Sequence, residues 1–162
     1  MRALLLVTSA LLLGAAVDEC RAQDAPAATP AYVIPAGTPA HIRRAVESPE
    51  RAAEARARDH DRKPAEILRM SGIKEGDKIV EIASFGQYFT TMLSAAVGPG
   101  GHVDMYDLPY TERFAGPASR EFDEKHANAV YHQESYNDVT FPQNVDSVWM
   151  VLYYHDLKPQ GV

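Results

Sequence analysis

Residues able to hold a small ligand fall at four places in this sequence, each just after an apolar run. Glu81 lies within Lys78–Ala83, and Ala83-Ser84-Phe85-Gly86-Gln87 follows it directly. Asp107 closes the run His102–Tyr106, Gln133-Glu134-Ser135 follows Ala129–His132, and Tyr153-Tyr154-His155-Asp156 follows Asp146–Leu152. If the runs are parallel strands, the four places share one sheet edge, where open α/β sheets bind ligands. Asp107 offers two acceptor oxygens, which suit the paired hydroxyls of a ribose. The competing reading has it start a turn with Leu108-Pro109. A carboxylate inside a buried strand is costly unless it is partnered. Glu81 must therefore face the ligand edge or accept hydrogen bonds from loop amides. His155 and Asp156 have the types of a base and its orienter, with Tyr154 beside them. Residue types alone favour a polar turn at a strand end there.

Other chemistries lack their residues. The formal net charge is −6 and no basic tract is interleaved with aromatics, which argues against a nucleic-acid partner. The Arg-rich stretch Arg51–Arg62 also carries Glu54, Asp59 and Asp61, so it reads as a solvated helix face. Cys20 is the single cysteine, which excludes an intrachain disulfide and any cysteine metal cluster. His41, His102, His126 and His132 show no ligand spacing, and no metal site is expected. His60-Asp61 is explained more simply by a helix start than by a metal-ligand pair. A serine nucleophile elbow, a Gly-Lys-Ser/Thr phosphate loop and a Gly-x-Gly-x-x-Gly dinucleotide loop are all missing from the sequence. The last of these ranks a nicotinamide-dependent enzyme lowest.

The elements that must position these residues can be read from periodicity. Ser48-Pro49-Glu50 reads as a capped helix start, with the helix running to about Arg58. A second helix, from about Asp61 to Met70 with Pro64 early in it, is closed by Ser71-Gly72. Lys78–Ala83 is dense in β-branched residues and predicts the first strand. Tyr88, Phe89, Met92, Leu93, Ala96 and Val97 recur at helical spacing, leaving Thr90, Thr91 and Ser94 for the other face. Gly98-Pro99-Gly100-Gly101 stops that helix, and His102–Tyr106 predicts the second strand. A helix over Pro117–Ala127, a weak third strand over Ala129–His132 and a fourth over Asp146–Leu152 complete the pattern. Strands alternating with helices imply a parallel α/β sheet, and runs this apolar suit strands covered on both faces.

The chain of 162 residues suffices for one domain and carries a leader-like start. Met1-Arg2 precedes the apolar run Ala3–Ala16, which is shorter than the roughly 20 residues of a spanning helix. This describes a secretory signal over residues 1–22, with cleavage fitting after Ala16 or, preferably, Ala22. An uncleaved N-terminal anchor is the rival reading. Residues 23–46 read as an Ala/Pro-rich linker, since Pro26, Pro30, Pro35 and Pro39 favour extended backbone. Residues 47–162 form the folded domain. The expected location is periplasmic or secreted, with no membrane partner after cleavage.

Four stretches together resemble a known family. They are Arg62–Leu68, Gly72–Ile82, Tyr88-Phe89-Thr90 and Val97–Val103, with Tyr154-His155-Asp156 fitting as well. The match is to class I S-adenosylmethionine-dependent methyltransferases, and it is strongest to a group of exported bacterial ones. The resemblance spans residues 59 to 158. It implies a Rossmann-like parallel sheet with flanking helices, S-adenosylmethionine as cofactor, and methyl transfer to a small acceptor. Glu81 would take the acidic position of the first motif. Ala83, Ser84, Phe85, Gly86 and Gln87 would form the loop under the methionine part, with Asp107 at the ribose and Glu134 near the adenine. Two departures follow. Phe85 and Gln87 stand where the family carries glycine, so a side chain could block approach or resist a positive φ. The family's sheet has seven strands, and about four are present here, which implies an incomplete domain. An open apolar edge at the fourth strand invites self-association. The alternative to an enzyme is a non-catalytic remnant or binding module that keeps the fold.

Overall fold

The structure is a computed structural model, and it describes residues 30–158. The expected leader, Cys20 and the first part of the Ala/Pro-rich segment lie outside the described residues. Four strands form one sheet: β1 (Lys78–Ile82), β2 (His102–Asp107), β3 (Ala129–Gln133) and β4 (Ser147–Met150). Their order is β3-β2-β1-β4 and every pairing is parallel. This is an incomplete Rossmann-like α/β sheet with flanking helices. In register, Glu81 stands opposite Met105 and Trp149, while Ile82 stands opposite Tyr106 and Met150.

Alternation along the strands splits the sheet into two faces. Ile79, Val103, Met105, Ala129 and Trp149 join one core with the helices. Those helices are α1 (Ala40–Glu47), α4 (Pro64–Ser71), α5 (Thr90–Val97) and α6 (Gly116–Lys125). On the other face Val80, Ile82 and Tyr106 are covered by Tyr136, Val139 and Val145 of the β3–β4 connection. A loop covers less than a helix does. Val148 on β4 is 59% exposed, so the expectation that the fourth strand is covered on both faces is corrected.

The helix expected from Ser48 to Arg58 is not there. Ser48 instead ends α1, and the Glu50 amide donates to its Oγ at 3.3 Å. Two one-turn helices follow, α2 (Ala53–Arg56) and α3 (Asp59–Arg62). Lys63 takes φ +46° between α3 and α4. The proline behind it disfavours the right-handed helical region at Lys63 and then opens α4 from its first position. The linker assignment also ends too late. Ile42, Ala45 and Val46 recur at i, i+3 and i+4 and are buried, so Ala40–Glu47 is a core helix. Likewise Thr90, Thr91 and Ser94 are buried rather than solvated. Packing by α1 and the Asn128 amide closes over α5, and Ser94 donates to Asn128 Oδ1 at 2.8 Å.

The turn into β2 shows why its glycines matter. A Cβ on Gly101 would stand 2.5 Å from Val97 Cβ and 2.7 Å from the Asp77 carbonyl oxygen. That close approach lets the His102 amide donate to Asp77 at 2.9 Å, which sets the β1–β2 register.

Candidate functional site

β1 and β2 end side by side, with Glu81 the last-but-one residue of β1 and Asp107 the last of β2, both facing the helix-covered side. Glu81 is buried, and Thr90 at the start of α5 donates to its Oε2 at 2.7 Å. Burial lifts its carboxyl to about 7; the Thr90 hydrogen bond pulls the other way and the Asp107 charge adds to the rise. Asp107 is fully buried, and burial lifts it to about 6. The Ser84 hydroxyl and the Ser84 and Phe85 amides lie close enough to lower it, yet none makes a well-formed hydrogen bond to either oxygen. Ser84 Oγ is also buried and unpartnered.

The loop between β1 and α5 bends sharply. The Ala83 amide donates to Tyr106 and the Gln87 amide to Ser84, both at 2.9 Å. Positive φ falls at Ala83 (63°), Gly86 (81°) and Gln87 (51°), and Leu152 beyond β4 adds a fourth (58°). Non-glycine residues pay about 1–2 kcal/mol for such angles, and they concentrate where a ligand is held. The two side chains that stand where glycine was expected therefore act differently. Gln87 bears backbone strain, whereas Phe85 does not take a positive φ. Phe85 instead fills space, packing edge-on against Tyr153 at 5.5 Å and Phe114 at 5.9 Å. Tyr153 shares a hydroxyl contact with Tyr110 at 2.9 Å. Tyr131, Tyr136 and Tyr153 all sense the Asp107 charge, and burial with that charge holds their hydroxyls above the usual value.

A cleft of about 240 Å³ opens on the loop. Glu81, Ala83, Ser84, Phe85 and Gly86 line it from β1 and the loop, and Val151, Leu152, Tyr153 and Asp156 from beyond β4. Arg58, Arg62, Tyr88 and Phe89 complete the wall. Asp107 does not line it. A hollow of about 430 Å³ between α5 and α6 is larger, but neither strand-end acid reaches it.

Of the residues expected at a site, Glu81, Ala83, Ser84, Phe85 and Gly86 come together around the cleft with Asp156. Gln87 turns to the α5–α6 hollow, where its Nε2 is buried without a partner. Glu134 is exposed and does not line the cleft, although its amide donates to the Asp107 carbonyl at 3.1 Å. Tyr154 and His155, on the one-turn helix α7 (Tyr154–Leu157), are exposed; His155 Nε2 lies 3.3 Å from Asp156 Oδ2. The arginines are the residues that sequence reasoning missed. Arg51 is buried against Asp59, with contacts of 2.5 and 2.8 Å, and Arg58 and Arg62 face the cleft. The stretch is thus not simply a solvated face. Its i, i+4 arginine spacing was visible; the ring it would stack on was not.

No group of three metal-ligating side chains and no helix long and apolar enough to cross a membrane occurs among the described residues. No family model matches the chain, and no curated protein does. Several solved structures are similar to it. A SAM-dependent methyltransferase from Aquifex aeolicus is 23% identical, covering 57% of this chain and 49% of that one, with a TM-score of 0.49. A cyclopropane-fatty-acyl-phospholipid synthase-like protein from Lactobacillus casei is 20% identical, covering 67% and 44%, also at 0.49. Aeropyrum pernix fibrillarin, solved with natively bound S-adenosyl-L-methionine, is 18% identical over 50% and 38%, at 0.36. The matched region spans about half or less of each of these structures.

Proposed function

We propose that this chain binds S-adenosylmethionine and belongs to a methyltransferase acting on a small acceptor. The observation that carries the reading is the pair of acids at the neighbouring ends of β1 and β2, one with both carboxylate oxygens buried and unpartnered. Buried polar atoms in native proteins are nearly always satisfied, so the Asp107 oxygens call for donors, which the Ser84 and Phe85 groups beside them or a ligand at these strand ends would supply. Two acceptors on Asp107 match a ribose diol, and Ser84 Oγ adds a further unpartnered polar atom beside them. Glu81, ionised, suits an ammonium group. The donor and acceptor set therefore fits the cofactor. When bound, S-adenosylmethionine would supply an electrophilic methyl group. This chain's own part is to orient it by Glu81, Ala83–Gly86 and Asp107, and to keep water from the site with Phe85 and Tyr153. Asp156, whose Oδ2 lies 3.3 Å from His155 Nε2, lines the cleft from beyond β4 and is the candidate group facing the acceptor.

One observation favours a second reading, a binding module without transfer activity. The cleft of about 240 Å³ is smaller than the roughly 300 Å³ at which drug-sized ligand pockets begin. Phe85 and Tyr153 pack edge to face within its lining and narrow it. Calorimetry with S-adenosylmethionine and S-adenosylhomocysteine separates the cases. Heat and a thermal shift with the natural protein support the first reading. Binding that emerges only in Phe85→Gly supports the second. No heat in either protein at millimolar ligand removes both. Export belongs to the same proposal: N-terminal sequencing of protein recovered outside the cytoplasm is expected to begin at Gln23.

A further inference from the structure

Arg58 and Arg62 stand four residues apart and hold their guanidinium groups over one ring, that of Tyr88, at 5.3 and 4.7 Å from its centroid. Tyr88 is pinned beneath them, its hydroxyl donating to Asp59 Oδ1 at 2.6 Å. The Asp59 charge is in turn taken up by Arg51 through two contacts. That carboxylate is thus already neutralised by a third arginine. Among the described residues neither Arg58 nor Arg62 makes an ion pair. Burial and the Arg58 charge hold the Arg62 guanidinium below its usual pKa, as expected of adjacent like charges without a counter-ion. Both line the cleft.

We infer that Arg58 and Arg62 form a carboxylate-binding subsite of this cleft, taking a monoanionic organic acid. Arginine forks match carboxylate and phosphate alike. Glu81 and Asp156 line the same cleft and disfavour a dianion such as a phosphate monoester relative to a monoanion. A volume of about 240 Å³ admits a group the size of an amino acid. Two sources can present that carboxylate, the amino-acid end of the cofactor or an acidic methyl acceptor. Only this choice rests on the proposed function; the subsite itself does not.

The test is calorimetry on the full chain, natural and Arg58→Ala/Arg62→Ala, with circular dichroism to establish folding. The probes are S-adenosylhomocysteine, its decarboxylated analogue, benzoate and benzamide. Loss of charged hydrogen bonds predicts affinity falling roughly tenfold to a hundredfold. A fall for S-adenosylhomocysteine but not its decarboxylated analogue assigns the cofactor's carboxylate. A fall for benzoate with S-adenosylhomocysteine unchanged assigns an acidic acceptor. Arg58→Lys/Arg62→Lys, which keeps charge without the fork, is expected to lie between, and it serves if the alanine variant misfolds. Equal binding of acid and uncharged analogue, affinities unchanged in the variants, or no acid bound by the natural protein overturns the subsite. Benzoate bound without S-adenosylhomocysteine overturns the proposed function and leaves the subsite standing.

Discussion

Glu81 ties the site to the stability of the fold. Its carboxyl rises from 4.5 to about 7 on folding, chiefly through burial. A folded state that keeps its proton longer than the unfolded chain gains from low pH. The contribution is fully present below about pH 4.5 and is lost as pH rises through 7. Asp107, lifted to about 6, acts in the same direction over a lower window. Unfolding free energies from urea titration are therefore expected to fall between pH 5 and 8, by about 3 kcal/mol for Glu81. Glu81→Gln should flatten that slope and raise stability at pH 8; an unchanged slope would place the titration elsewhere. Gln87 makes a second test at this scale. Its φ of 51° and unpartnered Nε2 both cost free energy. Gln87→Gly should raise the midpoint by about 1 kcal/mol, with the relief of strain outweighing the entropy that glycine adds to the unfolded chain.

Elements were legible where one signal decided them. The β1 run, the glycine stop before β2 and the proline start of α4 were readable because each has a strong local cause. The segment before them was not, because its order comes from partners distant in sequence. Ser48-Pro49-Glu50 has the composition of a helix start, yet Arg51 is drawn inward by the Val46 carbonyl and Asp59, and that breaks the helix. At the site, Glu81 and Asp107 could be found from their strand-end positions. The cover that Phe85, Phe114, Tyr110 and Tyr153 form could not, since it joins residues from three loops. The Arg51–Asp59 pair is the element-scale test. Both groups are nearly sealed from water, with side-chain exposures of 1% and 7%. Removing one partner of such a pair costs about 3–5 kcal/mol, because the other is left charged and buried. Arg51→Ala should therefore unfold α2 and α3 before the sheet. Hydrogen exchange would show this as early loss of protection at Ala53–Arg62 with β1 and β2 still protected. Uniform loss would mean that the segment and the sheet form one cooperative unit.

The whole molecule is asymmetric in how it closes its sheet. At one end, α6 packs on β3. At the other, β4 pairs with β1 alone among the described residues, and none of them supplies a strand to its outer backbone groups. Val148, Leu152 and Tyr154 are exposed along and just beyond that strand. Unpaired donors and acceptors beside apolar side chains make a template for another strand. We propose β4 of a second copy as the occupant of this edge, with edge-to-edge pairing extending the sheet across both molecules. Sedimentation velocity should then show association that rises with concentration. Val148→Lys places a charge on the uncovered face while leaving Trp149, which packs in the core, untouched. It should shift the distribution to monomer without lowering the unfolding midpoint by more than about 0.5 kcal/mol. Association that persists in Val148→Lys, or a natural protein that stays monomeric at high concentration, would show that the β4 edge is not self-complementary. The cleft wall formed by Val151, Leu152 and Tyr153 begins one residue past this strand. Pairing at β4 would therefore steady residues that line the cleft, and affinity for the proposed cofactor is expected to rise with protein concentration in the natural chain but not in Val148→Lys.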